Sequence, residues 1–431
     1  MFGLEKDKAN RWMYSVLPYQ IAYGPISTLI ILYILDLHGT VIDASYAITL
    51  GYAVSVPASI LWGYTIDRIN KRRSFILLSY AGLLLSLVLL FYFRSVIAAI
   101  LIYGLMSFMV AANATPINLL VMESNDESAW EKSFSKLQML SSLGGTLGLL
   151  FAFFVTGLLP ITYLILLLVP FCVAAMLLTA FINEARVEKV RRSIVSSSIA
   201  FASRMISKPL FFLRLPPFSM AKNFVKSLKF GNMKRNYMNT LYLAILIFYI
   251  GGSIFNTAYP AGLKEAGLTT YSIFGIIFAG YVMQTIFFQL TPRVAPKKNR
   301  VDLATESLVI RSIGYFLISM IFVLFRQHMG VIANIIFYSI AAGISYSIFY
   351  TILNVLLFEA IGKEKRGRKL GLYSSLVGIG AISGSLLAGY LSFYISYWFA
   401  FLVAGILTLY AAHILQGLNS IGNKAQTQSQ T

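Results

Sequence analysis

Gly63-Tyr64-Thr65-Ile66-Asp67-Arg68-Ile69-Asn70-Lys71-Arg72-Arg73 lies between two long apolar runs. Its last seven residues carry five charges, directly after one hydrophobic stretch and directly before the next. A loop so charged sits in water at a membrane face, and its excess of Arg and Lys marks that face as cytoplasmic. The flanking runs are then membrane helices, so the chain divides by spans of about 20 apolar residues.

Composition points the same way. Hydrophobic residues make up 58% of the 431 positions and charged residues 12%, about half the charge of a soluble domain. Mean hydropathy is +0.75. Twelve spans follow, at about 14–36, 43–66, 74–93, 95–122, 133–158, 161–183, 237–260, 270–291, 303–325, 330–358, 370–394 and 396–416. All are expected to be helices, because backbone facing lipid must satisfy its own hydrogen bonds. The runs are too long for barrel strands of about 10 alternating residues. Pro18, Pro25, Pro57, Pro116 and Pro170 fall inside spans and predict kinks.

A net charge of +19 raises the question of nucleic acid, and the placement of the charge answers it. Thirty-one of the 35 Lys and Arg fall in alternate loops and at the ends; the intervening loops hold only Arg94, Lys264 and Arg326, and Arg311 lies within a span. That is an orientation signal, with both termini cytoplasmic in the cell membrane and no nucleic-acid partner implied. Met1 to Met13 carries no signal-peptide pattern, so the first apolar run is read as the first span. The single cysteine, Cys172, allows no intrachain disulfide.

After six spans comes a basic segment, 184–235, with twelve Lys and Arg against Glu184 and Glu188. The expected organisation is a six-helix bundle (1–183), a cytoplasmic linker (184–235), a second bundle (236–416) and a tail (417–431). Within the linker, 221–230 reads as an interfacial amphipathic helix on anionic lipid headgroups. The halves repeat at a shift of 236 residues: Thr115 meets Thr351, Asn118 meets Asn354, Leu120 meets Leu356, and Glu123 meets Glu359. Gly144 meets Gly380 and Gly148 meets Gly384.

The 63–73 loop resembles the cytoplasmic signature between the second and third helices of the major facilitator superfamily, although Asn70 stands where a second glycine is usual. The resemblance implies an all-α membrane protein of two pseudo-symmetric six-helix bundles that works by alternating access. It also implies that Asp67 caps a helix of the opposite half, near Leu370-Gly371. Gly63 would let the second helix approach a neighbour closely. Arg68 and Arg72 are candidate partners of Asp67. Glu123 and Glu359, closing the fourth and tenth spans, complete a candidate cytoplasmic gate. The corresponding loop of the second half has Pro292 in place of the acid. The fourth span lacks the arginine, and the fifth the Gly-Pro pair, of proton-coupled exporters.

By the same resemblance, helices one, two, four, five, seven, eight, ten and eleven line a mid-membrane cavity. Tyr242, Tyr249, Ser253 and Asn256 share one face of the seventh span; Ser339, Gly343, Tyr346, Tyr350 and Asn354 share one face of the tenth. With Tyr281 and Gln284 on the eighth span, Tyr52 on the second and Asn113 on the fourth, they are the candidate substrate-binding residues. No carboxylate falls in the middle of a cavity span. Arg311 lies about 12 Å inside the ninth span, a peripheral helix, and is expected to be structural, reaching the inner face or pairing with Glu306. The expected cavity is therefore neutral and aromatic.

Scattered histidines (His38, His328, His413) and the lack of HExxH, phosphate-loop or cysteine-cluster motifs disfavour an enzyme, a metal site or a cofactor. The leading reading is a monomeric transporter of a small organic solute, neutral polar or aromatic. A multidrug or lipid exporter of the same fold remains open, as, less favoured, do a membrane enzyme and a non-transporting sensor.

Overall fold

Long apolar runs can pair their backbone amides in lipid only by coiling into helices. The computed structural model follows that rule wherever it describes the chain, at residues 11–69, 71–124, 130–182, 237–294, 300–324, 330–361 and 366–428. Twelve helices among these are long and apolar enough to cross a membrane. They are α1 (Arg11–Ser15, Val16–Tyr23 and Ile26–Asp36), α2 (Val41–Ile69), α3 (Arg72–Tyr92), α4 (Val96–Ser124), α5 (Trp130–Leu158) and α6 (Ile161–Leu167, Val169–Leu178 and Thr179–Phe181). The second set is α7 (Tyr237–Glu265), α8 (Thr270–Val294), α9 (Arg300–Leu324), α10 (Gly330–Tyr338, Ser339–Ile344 and Ser345–Ile361), α11 (Arg366–Tyr394) and α12 (Tyr397–Gln428).

Two prolines mark real interruptions. Pro25 stands at the break in α1 and Pro170 follows the break in α6, whereas Pro57 and Pro116 sit inside unbroken helices. The middle piece of α10 is a π-helix. The last helix runs to Gln428, past the expected end of its span at 416.

At the face opposite the 63–73 loop the chain turns tightly. His38 adopts φ 63° after α1. Thr40 then begins α2 with a capping box: its N–H and hydroxyl both donate to the Asp43 carboxylate at 2.8 Å, and its Oγ1 accepts the Asp43 N–H at 3.3 Å. Ser95 and Ser396 accept N–H groups at the starts of α4 and α12 in the same manner.

The internal repeat is visible in packing. A side chain at Gly144 would meet the Leu17 carbonyl at 2.7 Å, and one at Gly148 would overlap the Ile21 carbonyl, so α5 lies directly on α1. A side chain at Gly380 would meet the Leu246 carbonyl at 3.0 Å, and one at Gly384 would overlap the Ile250 carbonyl. Thus α11 lies on α7 as α5 lies on α1, with the glycine pairs 236 residues apart. The two bundles meet along α2–α11 and α5–α8. On the far side of the second bundle, α9 packs against α12 and α10. The linker 184–235 with its expected helix lies outside the described residues, as do the side chains of Asp67, Arg68, Glu123 and Glu359.

Candidate functional site

Among the described residues, small polar side chains stitch the bundles together. Along α2–α11, the Tyr46 and Tyr390 hydroxyls hydrogen-bond at 2.8 Å, and Thr49 Oγ1 meets Ser385 Oγ at 2.8 Å. Along α5–α8, Thr285 Oγ1 lies 2.5 Å from Ser142 Oγ and 3.2 Å from Thr146 Oγ1; further out, the Phe153 and Tyr271 rings meet edge to face. The Tyr46–Tyr390, Thr49–Ser385 and Phe153–Tyr271 contacts lie toward the face opposite the 63–73 loop, whereas Ser142 and Thr285 lie on the loop side of the middle of their spans. Toward the loop face the seam opens. Nothing lies within 4 Å of a side chain built at Gly63, and Tyr52, Ser59 and Ile60 of α2 are exposed to a cavity they help to line.

That cavity has a volume of about 760 Å³, within the range of pockets that hold drug-sized ligands. The first bundle contributes Ser27 and Thr28 of α1, Tyr52 and Ser55 of α2 and Tyr103 of α4. The second contributes Tyr249, Ser253 and Asn256 of α7, Tyr281 and Gln284 of α8, Tyr346 of α10 and Tyr373 of α11. The wall is apolar ring surface studded with hydroxyls and amides. Such a surface packs flat groups and still offers donors and acceptors to a polar solute.

Among the described residues, one cation stands in this wall. Arg311 leaves α9 and passes inward between α7 and α10, where Gly252 has no side chain to obstruct it: Nη2 lies 4.0 Å from where one would begin. Its guanidinium carbon is 5.2–5.4 Å from the ring centroids of Phe248, Tyr315 and Tyr346. Nε donates to the Tyr315 hydroxyl at 2.7 Å. The residue is 2% exposed, and Nη1 is buried with no hydrogen-bond acceptor among the described residues. The expected direction of Arg311, toward the membrane face or Glu306, is therefore corrected, and with it the expectation of a neutral wall. Glu306 is on the exposed side of α9. The signal available in the sequence was the Arg311–Tyr315 spacing of one helical turn together with the small Gly251-Gly252 step on α7.

The other candidates divide clearly. Tyr52, Tyr249, Asn256, Tyr281, Gln284 and Tyr346 line the cavity together; Asn113 and Tyr350 do not. Asn113 is buried within the first bundle beside the stacked Tyr19 and Tyr80 rings. Tyr350 stacks on Tyr346 at 5.6 Å and meets Phe288 edge-on, one layer behind the wall. Of the expected lining helices α5 contributes no residue, and α9 takes part through Arg311. Tyr103, Tyr259, Tyr338 and Tyr373 are wall residues the stripes did not single out. At the loop face Arg72 is buried and Nη1 donates to the Ile66 carbonyl at 3.0 Å, closing the C-terminus of α2.

The family model described as Major Facilitator Superfamily matches residues 13–328 and 241–418. No curated protein sequence matches the chain. Among solved structures, a POT family transporter in complex with a thioalcohol-conjugated peptide superposes with TM-score 0.71 at 12% identity, over 95% of each chain. The nucleoside transporter NupG superposes with TM-score 0.71 at 12% identity, over 95% of this chain and 99% of that one. At such identities the likeness is one of fold.

Proposed function

The chain belongs to the major facilitator superfamily, and from that premise we propose that it carries a small polar or aromatic organic solute across the cell membrane by alternating access. The observation that carries this reading is the cavity of about 760 Å³ lined by residues of both bundles, with the Tyr46–Tyr390 and Thr49–Ser385 contacts joining the bundles on the side away from the 63–73 loop. In this reading the basic loop face is cytoplasmic, as are both termini, and the conformation is the inward-facing one. Tyr52, Tyr249, Asn256, Tyr281, Gln284 and Tyr346 contact the solute. Asp67 with Gly63, Arg68 and Arg72, together with Glu123 paired to Arg72 or Arg73 and Glu359 paired to Arg293 or Lys297, close the inner face in the opposite state. The 184–235 segment rests on anionic headgroups.

The test is solute counterflow in proteoliposomes, with labelled sugars, nucleosides, dipeptides and aromatic acids offered in turn. At least one is expected to exchange, and Tyr249→Ala is expected to weaken that exchange about tenfold, the loss of one ring contact and its hydroxyl. Absence of exchange for every class, with monodisperse protein in the liposomes, contradicts the reading.

A further inference from the structure

Taking a charge out of water is costly unless something pairs with it, and guanidinium groups stay protonated in proteins. Arg311 is buried, yet it belongs to the cavity wall. Among the described residues no Asp or Glu lines that cavity. The rings of Phe248, Tyr315 and Tyr346 stabilise the cation in the empty protein, but ring faces are poor acceptors for in-plane N–H donors. The Tyr315 hydroxyl engages Nε, and Nη1 has no acceptor among the described residues.

We infer that Arg311 pairs with an oxyanion on the transported molecule, a carboxylate or phosphate that reaches it past Gly252 and Tyr346. This deepens the transport reading and rests on it. The Nη1 and Nη2 end of a guanidinium matches two oxygens of such a group in a bidentate pair. With the anion in place the buried donor is satisfied, and the aromatic wall remains for the rest of the solute. A free organic acid and a lipid headgroup share this chemistry.

The test uses the purified full-length protein and matched pairs of probes: benzoate with benzamide, N-acetylphenylalanine with its amide, nucleoside monophosphates with nucleosides. Short-chain phosphatidic acid with diacylglycerol forms the lipid-borne pair. Each is titrated against the melting temperature of the wild type, Arg311→Lys and Arg311→Met. The acidic member of at least one pair is expected to bind roughly 10- to 100-fold more tightly than its neutral twin. Arg311→Lys keeps part of that preference. Arg311→Met abolishes it without lowering the melting temperature of the empty protein, because the charge it removes has no counter-ion lining the cavity among the described residues. A response confined to phosphatidic acid keeps the pairing and moves the anion's source to a lipid. Neutral twins that bind as tightly as the acids, or a preference that survives in Arg311→Met, overturn the inference and leave the transport reading standing. Empty variants that both melt well below the wild type make Arg311 a packing residue and overturn it too. If neither member of any pair shifts melting, the transport reading falls and takes the inference with it.

Discussion

A methyl at Gly384 would overlap the Ile250 carbonyl and crowd Ser253 Cβ at 2.8 Å, with backbone on one side that cannot swing away. Gly384→Ala is therefore expected to push α11 off α7 and cost about 1–3 kcal/mol, read as a lower melting temperature in detergent; an unchanged melt contradicts the packing described. At this scale the sequence was legible where a stripe of polar residues faced a hollow, as for Tyr249 and Asn256. It failed where the same spacing faced a neighbouring helix. Asn113 and Tyr350 satisfy helical periodicity as well as the wall residues do, and only the neighbours decide between them. Arg311 was misplaced for a related reason. Its helix is peripheral, but the side chain is long enough to pass a glycine and reach the centre.

Among the elements, α2 connects the sealed side to the open one. Its start is fixed by the Thr40–Asp43 cap and by the contacts to α11, and its other end is fixed by Arg72. Between them Gly63 faces open space. Gly63→Ala is thus expected to stabilise this conformation by up to about 1 kcal/mol, the helix propensity gained, and to slow transport by opposing the close approach needed on the other half of the cycle. Faster transport with a lower melting temperature contradicts that role. Asp67→Asn is expected to slow transport roughly fivefold, the equivalent of about 1 kcal/mol of gate bias, with expression unchanged; equal rates in proteoliposomes count against the gate. Most helix ends were readable to within about three residues because hydropathy and loop charge are local, the exceptions being the end of α7, the start of α11 and the end of α12. The π turn of α10 and the split of α1 at Gly24-Pro25 were less so, since they depend on what each helix packs against.

For the whole molecule, the repeat of glycine pairs already implies two bundles built alike, and packing bears that out: α5 meets α1 as α11 meets α7. What one sequence does not encode separately is which side of the hollow is shut, because both conformations use the same residues. The seal combines hydroxyl pairs and ring contacts with apolar packing that runs across both bundles, and small polar pairs of this kind suit a joint that must break each cycle. Thr49 and Ser385 face each other across it with their oxygens 2.8 Å apart, and the natural cysteine, Cys172, is buried elsewhere. The double variant Thr49→Cys, Ser385→Cys is therefore the direct test, measured as solute exchange before oxidation, after oxidation and after reduction. Loss of exchange on disulfide formation and its recovery on reduction is the predicted result. Exchange that continues at full rate through the cross-linked protein would contradict alternating access about this cavity.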